Sequence, residues 1–199
     1  MKKILFYGDS NTYGFDPRGF GGGRYPEGIR WTSRLSAMSE GRWEIINCGL
    51  NGRMIPSTSW QMKELRKALQ NEKPDLLSVM LGTNDLLNAM TPSAENVAAH
   101  MEHFLRDILN EYPADTGMHV LLVSPPRIDA MDAGPVCGSE SRKLSGLYAQ
   151  TAKNLHIHFA DAEESHPGLA FDGLHLSEEG HSAYANWMKG VLVGLSGSF

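Results

Sequence analysis

Hydrophobic and polar positions along the chain fall into two alternating patterns. Short runs of successive apolar residues occupy Lys3–Tyr7, Trp43–Asn47, Asp75–Leu81 and Met118–Ser124, with a weaker one at Leu155–Phe159. A run with no polar face suits a strand in a parallel sheet covered on both sides. Between these runs the apolar spacing lengthens to a helical period. In Ser93–Tyr112, Val97, Met101, Phe104, Leu105, Ile108 and Tyr112 recur at steps of three and four and form one stripe. Thr91 can cap that helix, with Pro92 at its first position. In Ser177–Leu195 the stripe is Tyr184, Trp187, Met188, Val191, Leu192 and Leu195. Ser177 is a natural N-cap there, and Glu178 and Glu179 suit the positive end of the helix dipole. Less regular patterns predict helices over Ser59–Leu69 and Glu140–Lys153.

Repeated strand–helix alternation predicts one α/β domain over residues 1–199. It is a three-layer sandwich with a parallel sheet of about five strands in flavodoxin-like order. There is no internal repeat and no linker. The glycine-rich stretch Gly19–Gly23 reads as part of a long loop after the first strand. In such sheets a ligand binds beyond the carboxyl ends of the strands.

Composition narrows the classes. A chain of 199 residues can hide roughly 70% of its unfolded surface and needs no disulfide or metal to fold. Its 18 Lys and Arg against 23 Asp and Glu give a net charge of −5 without any basic run, which argues against a nucleic-acid partner. No apolar stretch approaches the ~20 residues that cross a bilayer, so no membrane partner is expected. Lys2-Lys3 followed by Ile4–Tyr7 resembles the start of a secretory signal, but the run stops at Gly8-Asp9, too early for one. Cys48 and Cys137 are distant and lack metal-type spacing. Two free thiols suit a reducing compartment, and a cytoplasmic location is expected.

Four polar blocks stand where the predicted strands end or the last helix begins. They are Gly8-Asp9-Ser10-Asn11, Asn47-Cys48-Gly49-Leu50-Asn51-Gly52, Gly82-Thr83-Asn84-Asp85 and Asp172-Gly173-Leu174-His175. Together they supply a hydroxyl, an imidazole with a carboxylate three residues ahead of it, and several hydrogen-bond donors. Those are the parts for acyl transfer through a covalent intermediate.

In these blocks, in this order, the chain resembles the SGNH hydrolases, also called the GDSL esterase and lipase family. The resemblance runs from Gly8 to His175. Arg30-Trp31-Thr32, Met80–Asp85 and Val123-Ser124-Pro125-Pro126 look like the aryl esterase and acyltransferase branch. Asn11 stands where the GDSL name has leucine. The resemblance implies Ser10 as nucleophile, His175 as general base and Asp172 as the carboxylate that orients it. It implies an oxyanion hole of the Ser10 N–H, a glycine N–H and the Asn84 side-chain amide. Gly52 and Gly49 compete for the glycine role, and spacing from Asn47 favours Gly52. The roles fit the residue types. Serine needs an adjacent base, and an imidazole titrating near ~6.5 can take and return a proton. The Asp-x-x-His spacing lets one loop bring the carboxylate onto Nδ1. Asp9 and Asp85 are expected to hold loops.

The implied substrate is a small-molecule ester. A short acyl group, foremost acetyl, would be carried by an aryl, alkyl or sugar alcohol, with transfer to other alcohols as an extension. No cofactor or metal is called for, and a homo-oligomer is left open. A carbohydrate acetyl esterase or a thioesterase is the enzymatic alternative. A flavodoxin-like binding module is the non-enzymatic one, disfavoured because Asp9 would repel a phosphate. Several features take plainer readings. His166 is a competing base. His181, inside the last helix, is expected to be exposed or half packed. His156 and His158 alternate on a predicted strand without carboxylates to complete a metal site. Gly21-Gly22-Gly23-Arg24 lacks the P-loop lysine. Trp31, Trp43, Trp60 and Trp187 read as core or interface, with the Trp31 loop returning toward Ser10. Cys48 reads as a small buried hydrophobe.

Overall fold

In a computed structural model, residues 1–19, 23–113, 116–197 and 199 are described. The strands are β1 (Lys2–Gly8), β2 (Trp43–Gly49), β3 (Leu76–Met80), β4 (His119–Ser124) and β5 (His158–Asp161). They form one parallel sheet in the order β2-β1-β3-β4-β5, with β1 registered between Trp43–Gly49 on one side and Leu76–Met80 on the other. The helices are α1 (Ser10–Tyr13), α2 (Trp31–Met38), α3 (Ser59–Glu72), α4 (Thr83–Leu87), α5 (Ala94–Glu111), α6 (Gly134–Ser141), α7 (Leu144–Leu155) and α8 (Glu178–Leu195).

Alternation along β1 feeds two cores. Ile4 and Phe6 pack with Trp31 and Leu35 of α2 and with Tyr184, Met188 and Leu192 of α8. Leu5 and Tyr7 point the other way, into Leu65 and Leu69 of α3, Phe104 and Leu105 of α5 and Tyr148 of α7. Each such large side chain, fully buried, contributes about 1.5–3 kcal/mol. A sheet held this way on both faces is a rigid base for the loops at its carboxyl edge.

The elements differ from the predicted ones where a local contact decides. Ser93, not Thr91, caps α5: its side chain accepts the Asn96 N–H, which leaves Pro92 in the preceding turn. The helix expected over Glu140–Lys153 is two helices, α6 and α7. Ser141, at the end of α6, is bound instead to the Gly138 carbonyl and the Ile128 amide of the loop after β4. The weak fifth strand starts late because α7 runs through Leu155 and His156 caps it at φ 54°. Only His158 of the supposed histidine pair is therefore on a strand, and its ring stacks on His119. α2 was not expected, since its buried positions are only Trp31, Thr32 and Leu35. Of the glycine-rich loop, Gly21 and Gly22 lie outside the described residues.

Candidate active site

The chain leaves β1 through a tight turn. A Cβ on Gly8 would lie 2.1 Å from the Thr12 hydroxyl, so only glycine lets α1 fold back this closely. Asp9 caps α1 by accepting the Asn11 N–H at 2.9 Å. Ser10 becomes the first residue of the helix, and Gly14 ends it at φ 87°. No partner is recorded for the Ser10 N–H among the described residues.

The loop before α8 brings His175 to the same place. Its Nε2 is 2.9 Å from Ser10 Oγ, and its Nδ1 is 2.6 Å from Asp172 Oδ2. The other Asp172 oxygen accepts the N–H groups of Leu174 and His175, both at 3.0 Å. An ionised carboxylate can only accept, so in the neutral imidazole Nδ1 carries the proton and Nε2 turns its lone pair toward Ser10. Burial raises the Asp172 pKa, but the bonds from the imidazole and the two amides outweigh it and hold the carboxyl below its usual range. The Phe15 ring lies 4.6 Å from the imidazole. His166 is exposed, at the left-handed end of a short turn, and has no recorded bond to Ser10.

On the opposite side are the loops after β2 and β3. Gly49 spends its N–H on Asn47 Oδ1 at 2.8 Å, and a Cβ there would meet the Tyr13 backbone nitrogen at 2.1 Å. It is a glycine of close packing. Gly52 stands in the turn closed by Arg53 N–H on the Leu50 carbonyl, at φ 71°, with no recorded partner for its own N–H. Asn84 Nδ2 donates to the Arg53 carbonyl at 3.1 Å, and both Asp85 oxygens accept the Ile55 N–H at 3.2 Å. Neighbouring residues of α4 thus grip the chain just beyond Gly52.

Arg53 was not singled out in the sequence, although it directly follows Gly52. Its Nη1 donates to the Gly8 carbonyl at 2.8 Å and to the Cys48 carbonyl, and its guanidinium lies 4.1 Å from the Tyr7 ring centre. It ties the ends of β1 and β2 together. It also faces Asp9, whose burial, aided by the charge of Asp85, pushes its carboxyl up to about 7 against the Asn11 amide and Arg53. Burial raises Asp85 as well.

Three expectations need correction. His181 is 1% exposed, because α8 packs against α2: its Nδ1 accepts the Trp31 N–H at 3.3 Å, serving as the cap α2 lacks. Burial, chiefly, lowers its pKa to about 4. Cys48 is only half-buried. Trp60 is 68% exposed, at the start of α3, so it is not core. Trp31 does return toward Ser10, but as a buried residue whose indole N–H donates to the Asn11 carbonyl at 2.9 Å. Among the described residues no His, Cys, Asp and Glu side chains cluster as a metal site, and no helix is long and apolar enough to cross a membrane.

The same fold recurs in known proteins. Among solved structures, a presumptive arylesterase from Agrobacterium tumefaciens is 28% identical, with 98% of this chain and 99% of that one covered and a TM-score of 0.83. A carbohydrate acetylesterase family member from Sinorhizobium meliloti is also 28% identical, with 99% and 100% covered and a TM-score of 0.83. The aryl esterase of M. smegmatis shares the fold at 24% identity, with 98% and 100% covered and a TM-score of 0.83. Curated proteins include no match to the sequence. Residues 6–183 match the GDSL-like lipase/acylhydrolase family, a span that begins within the strand before Ser10 and ends within the helix after His175. The chain therefore belongs to that family, the SGNH hydrolases, and is a carboxylic ester hydrolase.

Proposed function

We propose that Ser10, His175 and Asp172 form a catalytic triad that hydrolyses short-chain esters through an acyl-enzyme. The observation that carries this reading is the continuous line from Ser10 Oγ through the imidazole to Asp172, at 2.9 and 2.6 Å. Ser10 Oγ attacks the ester carbonyl while Nε2 takes its proton. Asp172 keeps the ring in the productive tautomer and stabilises the imidazolium. The proton then passes from Nε2 to the departing alcohol. Water, activated by the same nitrogen, attacks the acyl-enzyme, and the acid leaves as Ser10 regains its proton.

The negative oxygen of each tetrahedral intermediate rests on the Ser10 N–H, the Gly52 N–H and the second Asn84 Nδ2 hydrogen. Donors fixed in advance are worth more than mobile ones because they need no reorganisation during the reaction. Asn84 is fixed through Arg53, and Ser10 through the α1 turn. Gly49 is unsuited, since its N–H is already taken.

Acetyl is the favoured acyl group, and the alcohol is aryl, alkyl or a sugar. The named activities of the structural relatives support both aryl and carbohydrate esters. Another alcohol in place of water would give acyl transfer. The half-buried Cys48 and buried Cys137 thiols suit a reducing, cytoplasmic setting. The test is a fluorophosphonate probe followed by a substrate panel. The probe should label Ser10 in folded protein and nothing in heat-denatured protein. p-Nitrophenyl esters of rising acyl length, run beside acetylated sugars, should show turnover falling with acyl length. Labelling at another residue would overturn the assignment of the nucleophile.

A further inference from the structure

Ser10 and His175 are 165 residues apart in sequence, and their 2.9 Å contact needs something that fixes one segment on the other. The loop carrying His175 is closed on itself by Ala170 N–H on the His175 carbonyl at 2.7 Å. That bond sets the shape of the loop and not its distance from α1. Between α1 and this loop, apart from the Ser10–His175 contact, the described residues record two hydrogen bonds, and both belong to Asn11. Its Oδ1 accepts the Leu176 N–H at 2.9 Å, and its Nδ2 donates to the Leu174 carbonyl at 3.2 Å.

Resting on the esterase reading, we infer that Asn11 is a positioning residue that sets the distance between nucleophile and base. Its amide grips the peptide groups on both sides of His175 while its backbone adjoins Ser10. The gripping orientation is fixed by chemistry, because a backbone N–H only donates and a carbonyl only accepts. The root of the side chain is held too. The Asn11 N–H donates to Asp9, and its carbonyl accepts the Trp31 indole N–H. Asn11 is 3% exposed, so no water replaces a lost partner cheaply. Aspartate would keep only the acceptor half of the grip, and leucine, the residue in the family's name, would keep neither. Misplacement of a reacting group by about 1 Å can cost on the order of 10²-fold in rate.

The experiment compares wild type, Asn11→Leu and Asn11→Asp on p-nitrophenyl acetate, with kcat expressed per folded molecule. Expected for Asn11→Leu is a kcat lowered roughly 10–100-fold with KM within about twofold, and fluorophosphonate labelling slowed in parallel. The downfield proton NMR signal of the His175–Asp172 pair should persist, since Asp172 holds that pair through its own turn. Asn11→Asp, nearly the same shape, should fall at least several-fold in kcat, and it carries the test alone if Asn11→Leu does not fold. Unchanged kcat in a folded variant overturns the role of Asn11, as does loss of the downfield signal together with activity. If the wild type itself neither turns over esters nor labels at Ser10, the esterase reading fails instead, and the comparison with Asn11 falls with it.

Discussion

Asp172 holds His175 at two points, accepting the backbone N–H with one oxygen at 3.0 Å and the ring Nδ1 with the other at 2.6 Å. The first bond shapes the turn and the second aims the ring. Substitutions should separate them. Asp172→Asn retains an oxygen for only one of these bonds, and as the backbone amides claim it, the amide NH₂ is left facing Nδ1. That favours the wrong tautomer, and kcat should fall by up to ~10⁴ with little change in melting temperature. Asp172→Ala loses the turn as well and should melt lower. Steady-state kinetics beside thermal melts check both, and equal melting of the two variants would deny the turn its role.

Asn84→Ala should lower kcat by roughly 10²–10³, the usual loss for one oxyanion donor. The side chain also binds the Arg53 carbonyl, so the loop beyond Gly52 loosens. Asp85 still grips that loop through Ile55, and the fold should survive. A rise in KM alone, with kcat kept, would make Asn84 a substrate contact.

Alanine at the two competing glycines should cost stability by unequal amounts. At Gly49 the new methyl meets the Tyr13 backbone 2.1 Å away, and separating β2 from α1 should cost roughly 3 kcal/mol or more. At Gly52 nothing lies within 4 Å, and the cost is that of φ 71°, about 1–2 kcal/mol. Denaturant unfolding measures both.

Two buried groups tilt stability with pH in opposite directions. Asp9 titrates at about 7 in the fold, above an unfolded carboxyl. Between the unfolded value of ~4 and about 7 the folded state holds the extra proton, so this group costs stability as pH rises. His181 titrates at about 4, below an unfolded imidazole. Between ~6.5 and about 4 the unfolded state holds the extra proton, so this group costs stability as pH falls. Asp9→Asn should therefore gain on the wild type more at pH 7.5 than at pH 4.5, and His181→Gln more at pH 4.5 than at pH 7.5. Unfolding midpoints at the two pH values test the signs.

The sheet was legible because β1, β3 and β4 are apolar on both faces, in runs too short for a buried helix. The candidate site was legible in part because each block is local, as with Asp172 and His175 three residues apart and in contact. What stayed hidden was long-range or finely balanced. The grip of Asn11 on Leu174 and Leu176, and that of Arg53 on Gly8, join segments whose spacing in sequence carries no mark of contact. Thr91 and Ser93 are both N-cap types, and reach to the Asn96 N–H decides for Ser93. His181 sits at a position that could face solvent, and it is buried because α2 exists, an element with too few apolar residues to announce itself.

The order of parts along the chain also has a meaning in time. Ser10, Gly52 and Asn84 all precede residue 86, and the strands they follow, β1, β2 and β3, end by Met80. The proposed base arrives with residue 175, just ahead of α8. Under the proposed mechanism, a nascent chain would carry Ser10 and its proposed anion-binding donors long before it has a group to deprotonate that serine. On the proposed triad, reactivity waits until residue 175 has joined the chain and folded against Ser10.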